Sequence, residues 1–267
     1  GTDENKAIAE KWEGVYVIIR DVSTFNRNAS GGFYLIDDNN LTLNVGTKSN
    51  YYYQHSAPAD GTVLEYIRGY IETRSGGSGG ITINPAFTND VKIAQFPPTI
   101  TEIARNPVIV SPGQEVIVTA KIKDRDGTIL SARLYWRKDS GSNVEVAITN
   151  LTDSTFQAAI PSQTDSCIVD YFIQATDNQN NVSNTPSDTT KNRYFYLVLN
   201  RPLTIQDVQY SPFGSGYSAY NNNEVTVSGI VTADTSDIPT GPQVIIQNGT
   251  GPWSAIRING TEVLTLN

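Results

Sequence analysis

Three residue types are scarce in this sequence, and the scarcity of two of them bears on the chemistry open to the chain. The 267 residues include no methionine, one cysteine and one histidine. A single cysteine, Cys167, excludes a disulfide bond within the chain, and its position before an apolar strand favours a buried, inert thiol. A hydrolytic triad needs a histidine-like base beside its nucleophile. The only histidine, His55, lies in a polar, tyrosine-rich loop, which favours a surface residue over a catalytic base. We therefore predict that the chain is not an enzyme. Because methionine is absent, we expect residue 1 to follow processing or an internal start.

Charge is also sparse. Charged residues make up 17% of the chain and the formal net charge is −8, against about 25% charged residues in an ordinary globular domain. After residue 201 there is one cation, Arg257, among five acidic residues. A nucleic-acid binder needs a basic surface that displaces counterions from phosphates, so this charge argues against a nucleic-acid partner. No run approaches the roughly 20 apolar residues of a membrane-spanning helix, and we predict no membrane span.

In place of charge, the chain is rich in Asn, Thr, Ser and Gly, a composition that favours strands and turns over helices. Turn signals such as Asp126-Gly127 and Asn248-Gly249 separate short β-forming runs, and long apolar stretches with a period of 3.6 residues are absent. The sequence therefore predicts an all-β protein. Its length predicts two or three domains.

Residues 1–97 are predicted to form an OB-like β-barrel. They contain five strand-like runs, the last interrupted at Asn84-Pro85, with an irregular connection between the third and the fourth. This is the pattern of a five-stranded OB barrel. The runs are Val15–Val22, Gly32–Ile36, Leu41–Val45, Val63–Thr73 and Ile81–Ile93. Pro97-Pro98 then disfavours strand pairing and marks a boundary.

Residues 98–201 are predicted to form an Ig-like, fibronectin-like β-sandwich of seven strands. Apolar residues alternate with polar ones along three of its strands, as two packed antiparallel sheets require. The residues predicted to face the core are Val116, Val118, Ala120, Ile122, Leu130, Ala132, Leu134, Trp136, Val169, Tyr171, Ile173 and Ala175. Trp136, on the third strand, is the expected core residue of such a sandwich.

Residues 202–267 are predicted to form a partial second OB-like β module. Strand-like runs occur at Val225–Ala233, Gln243–Gln247, Ser254–Ile258 and Glu262–Leu266, and Asn259-Gly260 between the last two is a hairpin signal. The segment VTVSGIVTA…QVIIQN parallels VYVIIRDV…GFYLIDDN of the first module. By that parallel the module stops before its last one or two barrel strands. We expect either a longer polypeptide or another chain to supply them.

The segment PPTITEIARNPVIVSPGQEVIVTAKIKDRDGTILSARLYW, followed by STFQAAIP and IVDYFIQATDNQNN, resembles the Ig-like and fibronectin-like repeats of secreted bacterial multidomain proteins. The flanking segments EGVYVIIRDV…GGFYLIDDN and EVTVSGIVTA…PWSAIRINGTEVLTLN resemble the OB-fold modules found beside such repeats. The resemblance covers nearly the whole chain and implies a surface protein of the type IX secretion kind, although the C-terminal sorting domain of that route is not in these residues. It implies an extracellular or cell-surface location but not a task, because both modules are scaffolds with many uses.

Asp124, Asp126, Asp177 and Asn178 are candidate ligands for Ca²⁺. They lie in two turns, Asp124–Gly127 and Asp177–Asn180, which in an Ig-like sandwich are the B–C and F–G loops at one end of the fold. Ca²⁺ takes about six to eight oxygen ligands, and these side chains offer several. The alternative is two ordinary turns whose side chains bond their own backbone. No other cofactor is predicted.

Arg133, Tyr135, Arg137 and Phe172 are candidate interface residues. Alternation places them, together with Asp170, on the outer face of the sandwich if their two strands pair. A stripe of arginines and aromatic residues can bind a partner protein. Equally, Arg–Asp and Tyr–Phe pairs across two strands stabilise a sheet by themselves. The sequence leaves both interpretations open.

Tyrosines are concentrated in the first module, at Tyr34, Tyr51, Tyr52, Tyr53, Tyr66 and Tyr70. They could stack on sugar rings or bases, or pack in the core and rim of the barrel. The acidic charge favours a glycan over a nucleic acid. Asp37-Asp38 is the obvious carboxylate pair for glycoside chemistry, but neighbours at a strand end point to opposite faces, which favours a solvated turn.

Together these patterns predict a non-enzymatic, extracellular structural or adhesive protein. It would self-associate, or bind other surface proteins, by strand completion between subunits into a filament, with residues 1–11 as one candidate donor strand. The alternative is an accessory region of a larger secreted hydrolase that binds carbohydrate or nucleic acid.

Overall fold

The structure, a computed structural model, describes residues 10–27, 32–46, 57–73, 80–152, 154–234, 237 and 242–260. Its strands are β1 (Tyr16–Ile19), β2 (Val22–Phe25), β3 (Phe33–Ile36), β4 (Thr42–Val45), β5 (Val63–Thr73), β6 (Ile81–Asn84), β7 (Val91–Ile93), β8 (Thr99–Asn106), β9 (Val116–Lys123), β10 (Ile129–Lys138), β11 (Val144–Ala147), β12 (Thr149–Thr152), β13 (Thr155–Ile160), β14 (Cys167–Asp177), β15 (Val182–Thr185), β16 (Tyr194–Val198), β17 (Ile230–Ala233), β18 (Gln243–Gln247) and β19 (Ala255–Asn259). Helical structure includes the 3₁₀ turn Thr88–Asp90 and helix α1 (Ile205–Gln209). The fold is all-β, as the composition predicts. Among the described residues, no helix has the length and apolar character needed to cross a membrane.

The chain folds as two compact units. The first comprises Gly1–Phe96 with Arg125–Gly127, and the second comprises Pro97–Asp124 with Thr128–Asn267. The first unit contains the OB-like barrel. The second contains both the sandwich and the third module.

Five strands of the first unit close into a barrel in the order β5, β2, β3, β4, β6 and back to β5. Neighbouring strands are antiparallel except β4 and β6, which pair in parallel. β1 and β7 extend the sheet by pairing with β5. A closed barrel of five strands confirms the OB-like prediction.

Two backbone features shape the barrel. The chain bends between β1 and β2 at Asp21, whose φ of 55° lies in the left-handed region that Asp tolerates. Gly69 of β5 lies against the end of β6, where a Cβ would be 2.4 Å from the carbonyl oxygen of Asn84. Only glycine leaves room for two backbones to approach this closely.

Apolar side chains fill the barrel interior. Its core consists of Val22, Phe33, Leu35, Val45, Leu64, Ile67, Ile71 and Ile83. Along β3, Phe33 and Leu35 are 3% and 1% exposed, whereas Tyr34 between them is 37% exposed. This alternation puts one face of each strand in the core and the other on the outside of the barrel.

The second unit begins with a sandwich of two antiparallel sheets. One sheet has the order β12, β13, β9, β8; the other has the order β11, β10, β14, with β15 and β16 pairing with successive parts of β14. These are the two sheets of an Ig-like fold. The Ig-like β-sandwich predicted from the alternation is confirmed.

The residues predicted to fill the sandwich core are buried, with one exception. Trp136 lies in this core at 9% exposure, packed with residues of both sheets. Leu130 is 62% exposed, so its predicted burial was wrong. A register irregularity between Ile129 and Ser131 shifts the alternation at the start of β10.

The third module is a three-stranded antiparallel sheet in the order β17, β18, β19. It repeats the meander that β2, β3 and β4 form in the barrel, and it confirms a partial second OB-like module. β18 has the predicted bounds, whereas β17 begins later than the predicted Val225–Ala233. The strand predicted at Glu262–Leu266 lies outside the described residues.

The chain between the sandwich and this sheet packs on β16. Tyr196 and Val198 of β16 face the sandwich core, while Phe195 and Leu197 face a second apolar cluster. That cluster is completed by residues from the following segment, including Leu203, Ala219 and Tyr220. β16 is therefore buried on both faces, between the sandwich core and the apolar cluster of the following segment.

Candidate functional site

The three strands of the third module form the candidate site, which we call the open sheet (β17, β18 and β19). Its apolar residues share one face because the register sets Val231 opposite Ile246 and sets Ile246 and Val244 opposite Ile256 and Ile258. In a closed barrel, this face would be the interior. Helix α1 covers part of it, since Ile205 packs with Val244 and Ile246.

Helix α1 leaves apolar side chains at both sides of this face exposed to solvent. Val231 on β17 is 50% exposed and Ile258 on β19 is 37% exposed, although Val244 between them is 2% exposed. A soluble fold normally removes such a row of side chains from water. The two outer strands of the open sheet therefore present apolar surface that no described residue covers fully.

The backbone edges of the open sheet are also unprotected. Within the described residues, β17 and β19 each pair on one side only. Ile230, Val231 and Thr232 of β17 are all exposed, and none carries charge. Natural edge strands usually carry proline or charged side chains such as lysine, which prevent pairing with another chain. β17 lacks that protection.

A capped helix holds the middle of the open sheet in place. Thr204 caps α1, and the carboxylate of Asp207 accepts hydrogen bonds from the backbone N–H and hydroxyl of Thr204 at 2.9 and 2.7 Å. Arg201 pairs with the same carboxylate at 2.6 Å. Burial opposes ionisation of Asp207, but these hydrogen bonds and the Arg201 charge outweigh it and lower its pKa. The charged carboxylate stabilises the first turn of the helix.

The two loops predicted to bind Ca²⁺ follow β9 and β14, as expected for B–C and F–G loops. Thr128 and Asn178 join them, because the Thr128 N–H donates to Asn178 Oδ1 at 2.8 Å. Asp177 Oδ1 accepts the backbone N–H groups of Gln179 and Asn181 at 2.8 Å each. Burial opposes ionisation of this carboxylate, but the bonds from Asn181 and Gln179 lower the pKa of Asp177.

These bonds are those of an Asx-type turn, in which a side chain bonds its own backbone. The other two candidate ligands divide between the compact units: Asp126 belongs to the first and Asp124 to the second. Among the described residues, no group of three or more His, Cys, Asp or Glu side chains is arranged to hold a metal ion. Calcium binding stays a prediction, and the geometry favours the turn interpretation.

The outer stripe of the sandwich is largely paired within the chain. Tyr135 stacks on Phe172 with ring centroids 4.9 Å apart, and Arg137 Nε donates to Asp170 Oδ1 at 2.8 Å. Arg133 pairs with Glu145 at 2.7 Å. The first two are the cross-strand pairs that the register of β10 with β14 sets. The third joins β10 to β11 on its other side, where Arg133 and Glu145 are diagonal neighbours.

Burial on this face is greater than the alternation predicts. Asp170 is 2% exposed and Phe172 is 8% exposed, because Arg193 lies over both: it pairs with the Asp170 carboxylate and its guanidinium carbon is 4.7 Å from the Phe172 ring centroid. The interface role of Arg133, Tyr135, Arg137 and Phe172 stays a prediction, and the pairing favours a stabilising role.

The predicted tyrosine platform is described only in part, because Tyr51, Tyr52 and Tyr53 and the nearby His55 lie outside the described residues. Tyr66 and Tyr70 lie on the outer face of β5, and Tyr34 lies on the outer face of β3 near Phe25. A depression that the sequence did not predict lies next to Tyr66; it is lined by Tyr16, Arg68, Phe87, Asn89 and Asp90.

Cys167 is partly buried against the sandwich core. Burial raises the pKa of its thiol, and a protonated thiol is a poor nucleophile. The thiol is partly buried where the sequence predicted a buried one, and its inertness stays a prediction.

No family model matches the sequence, and no curated protein matches it. Among solved structures, the chain is similar to a DUF4785 family protein from Legionella pneumophila subsp. pneumophila str. Philadelphia 1, with 10% identity and a TM-score of 0.25. That match covers 66% of this chain and 55% of the other, so the chain spans about half the length of that structure. The chain is also similar to domains 4 and 5 of the S-layer protein SbsC, with 12% identity, a TM-score of 0.21, and coverage of 63% and 94%. TM-scores this low do not establish a shared fold or function.

Proposed function

We propose that the chain is a non-enzymatic structural or adhesive protein of the cell surface or extracellular space, and that copies of it associate by strand completion. The open sheet carries the proposal. Its three strands match β2, β3 and β4 of the barrel, which β5 and β6 close. Within the described residues, the open sheet has no counterpart of β5 or β6.

Strand addition would remove two unfavourable features of the open sheet at once. A strand added beside β17 would pair its unbonded backbone N–H and C=O groups. The same strand would cover Val231, whose side chain is half exposed. The added strand would come from a second copy of the chain, and residues 1–11 are the candidate donor.

One further feature supports a location outside the cell, since the sequence resembles the Ig-like and OB-like modules of secreted bacterial proteins. The proposal assigns the chain an assembly role and no chemical step.

Ile230→Lys tests the assembly. Ile230 is 77% exposed on β17, so the substitution leaves the core unchanged, but a lysine on an edge strand obstructs pairing. We expect the unaltered protein to form oligomers or filaments that grow with concentration. The variant should stay monomeric by light scattering and show no filaments by electron microscopy.

Val182→Lys is the matched control. Val182 is 51% exposed and lies on β15, which ends a sheet of the sandwich. This variant should assemble like the unaltered protein. A monomeric unaltered protein at every concentration would contradict the proposal, and so would loss of assembly in the Val182 variant alone.

The second candidate function is a carbohydrate-binding region of a larger secreted hydrolase. The depression beside Tyr66 favours it, because aromatic and polar side chains converge there. Specific retention of the chain on a glycan array, without concentration-dependent assembly, would favour this function over the first.

A further inference from the structure

The depression on the barrel is formed by three separate segments of the chain. Tyr16 comes from β1, Arg68 from β5, and Phe87, Asn89 and Asp90 from the 3₁₀ turn and the residue before it. Its volume is about 570 Å³, which is within the range of about 300–1,000 Å³ for small-molecule sites. The register places Arg68 opposite Ile18 on β1, so Tyr16 and Arg68 are diagonal neighbours on the outer face.

A buried carboxylate holds the depression in shape. Asp90 is 0% exposed, and its Oδ2 accepts the backbone N–H groups of Ala86 and Phe87 at 2.9 Å each. Its Oδ1 lies 3.3 Å from Nη2 of Arg68, and burial, together with the interaction with Asp90, raises the pKa of Tyr16. Asp90 therefore anchors the 3₁₀ turn and orients Arg68 at the depression.

Arg68 presents a positive charge at the depression. Its Nη2 donates to the Asn89 carbonyl oxygen at 3.1 Å, and its side chain is 33% exposed. A second guanidinium is close by: those of Arg20 and Arg68 lie 5.7 and 5.1 Å from the Tyr66 ring centroid. On a chain with net charge −8, this is a local cationic surface that suits a carboxylate.

Aromatic rings form the rest of the wall. Tyr16 is 48% exposed and Phe87 is 64% exposed. Exposed rings of this size offer stacking surfaces for another ring. The C–H face of a pyranose is flat and apolar, and it stacks on such a surface while its polar substituents reach the rim.

We propose that this depression binds a carboxylated pyranose, a hexuronate unit of an acidic polysaccharide. The sugar ring stacks on Phe87 and Tyr16, and its carboxylate accepts hydrogen bonds from Arg68. The positive charges of Arg68 and Arg20 give the site its preference for an acidic sugar over a neutral one. The site lies within the barrel, so its occupancy does not depend on the proposed assembly.

Calorimetric titration with a tetragalacturonate tests the site, and its methyl ester and the matched neutral galactan oligomer serve as ligand controls. We expect the acid to bind at least about tenfold more tightly than the ester, because a charge-assisted pair is worth about 1.4 kcal/mol or more. Equal affinity for acid and ester, no binding of the acid, or tighter binding of an oligonucleotide than of the acid would each overturn the proposal.

Phe87→Ala locates the binding. Phe87 is mostly exposed, so we expect an unchanged fold by circular dichroism and about tenfold weaker binding through loss of the stacking contact. Tyr217→Ala is the matched control, since Tyr217 is a 67% exposed aromatic residue outside the barrel, and it should bind normally. Unchanged binding by the Phe87 variant would show that the depression is not the site. All titrations use the Ile230→Lys protein, which is expected to stay monomeric. A failure to bind the sugar therefore cannot result from a failure to assemble.

Discussion

The first and third modules share a three-strand meander but differ in what covers it. In the first module the meander's inner face is sealed: Leu35 is 1% exposed and Val45 is 3% exposed. In the third module the corresponding face leaves Val231 and Ile258 50% and 37% exposed. The strands themselves are similar in length and polarity, so the difference arises from β5 and β6, which bring the first sheet round on itself.

Alanine substitutions on the two inner faces should give the largest contrast. Leu35→Ala should destabilise the first unit by about 2–5 kcal/mol, because it leaves a cavity in a sealed core. Ile258→Ala should cost under about 1 kcal/mol, since its side chain already contacts water. Hydrogen exchange, followed separately in the two modules at low protein concentration, measures both losses of stability.

The substitutions Leu35→Ala and Ile258→Ala also test this comparison at high protein concentration. If a second copy covers the open sheet, the cost of Ile258→Ala should rise with concentration while that of Leu35→Ala stays constant. A cost for Ile258→Ala that equals that of Leu35→Ala in the monomer would show that the third module is already closed.

Gly69→Ala should have the next largest effect. A Cβ at Gly69 would clash with the Asn84 backbone and force β5 and β6 apart, at a cost of about 1–3 kcal/mol. Gly214→Ala is the control in the second unit, where the nearest heavy atom to an added Cβ is 3.9 Å away. Urea unfolding followed separately for each unit should show a lowered midpoint for the first variant only. An unaltered midpoint in Gly69→Ala would mean that barrel closure does not depend on this approach.

Acidification should lower the free energy of unfolding by a smaller amount, and it should do so in both the first and the third module. Burial opposes ionisation of Asp90, but hydrogen bonds from Tyr16, Ala86 and Phe87 and the charge of Arg68 lower its pKa; the pKa of Asp207 is lowered in a similar way. A carboxyl group whose pKa falls on folding contributes stability above its unfolded pKa of about 3.9. That contribution is lost as pH falls through the folded pKa.

Urea midpoints measured from pH 7 to pH 2 check this dependence. Asp90→Asn should flatten the acid dependence of the first unit, and Asp207→Asn should flatten that of the second. An acid dependence unchanged in both variants would show that other carboxyl groups govern it.

Local pattern was sufficient for the sandwich and insufficient for its outer face. Period-2 alternation identifies Val116, Leu134 and Ile173 as core residues, because successive side chains of a strand point to opposite faces of the sheet. It could not show that Asp170 and Phe172 are buried on the other face. That burial depends on Arg193, which follows them in sequence by about twenty residues and reaches them only because β16 pairs with β14.

The depression on the barrel was missed for a related reason. Tyr16, Arg68 and Phe87 are far apart in the sequence, and no motif joins them. The available signal was the alternation, which places Tyr16 and Arg20 on one face of the predicted strand Val15–Val22 and places Tyr66 and Arg68 on one face of the predicted strand Val63–Thr73. Reading it required the pairing of β1 with β5, a long-range contact.

The sequence by itself determined the all-β class, the order of the modules and most of the strands, because turn residues and alternation act over a few neighbouring positions. Only the tertiary structure decided which sheet closes, which outer faces are covered and where Asp90 holds Tyr16 and Arg68 together. Those outcomes depend on backbone approach and on charge pairs between distant segments, such as Gly69 with Asn84 and Arg193 with Asp170, and a one-dimensional pattern does not record such contacts.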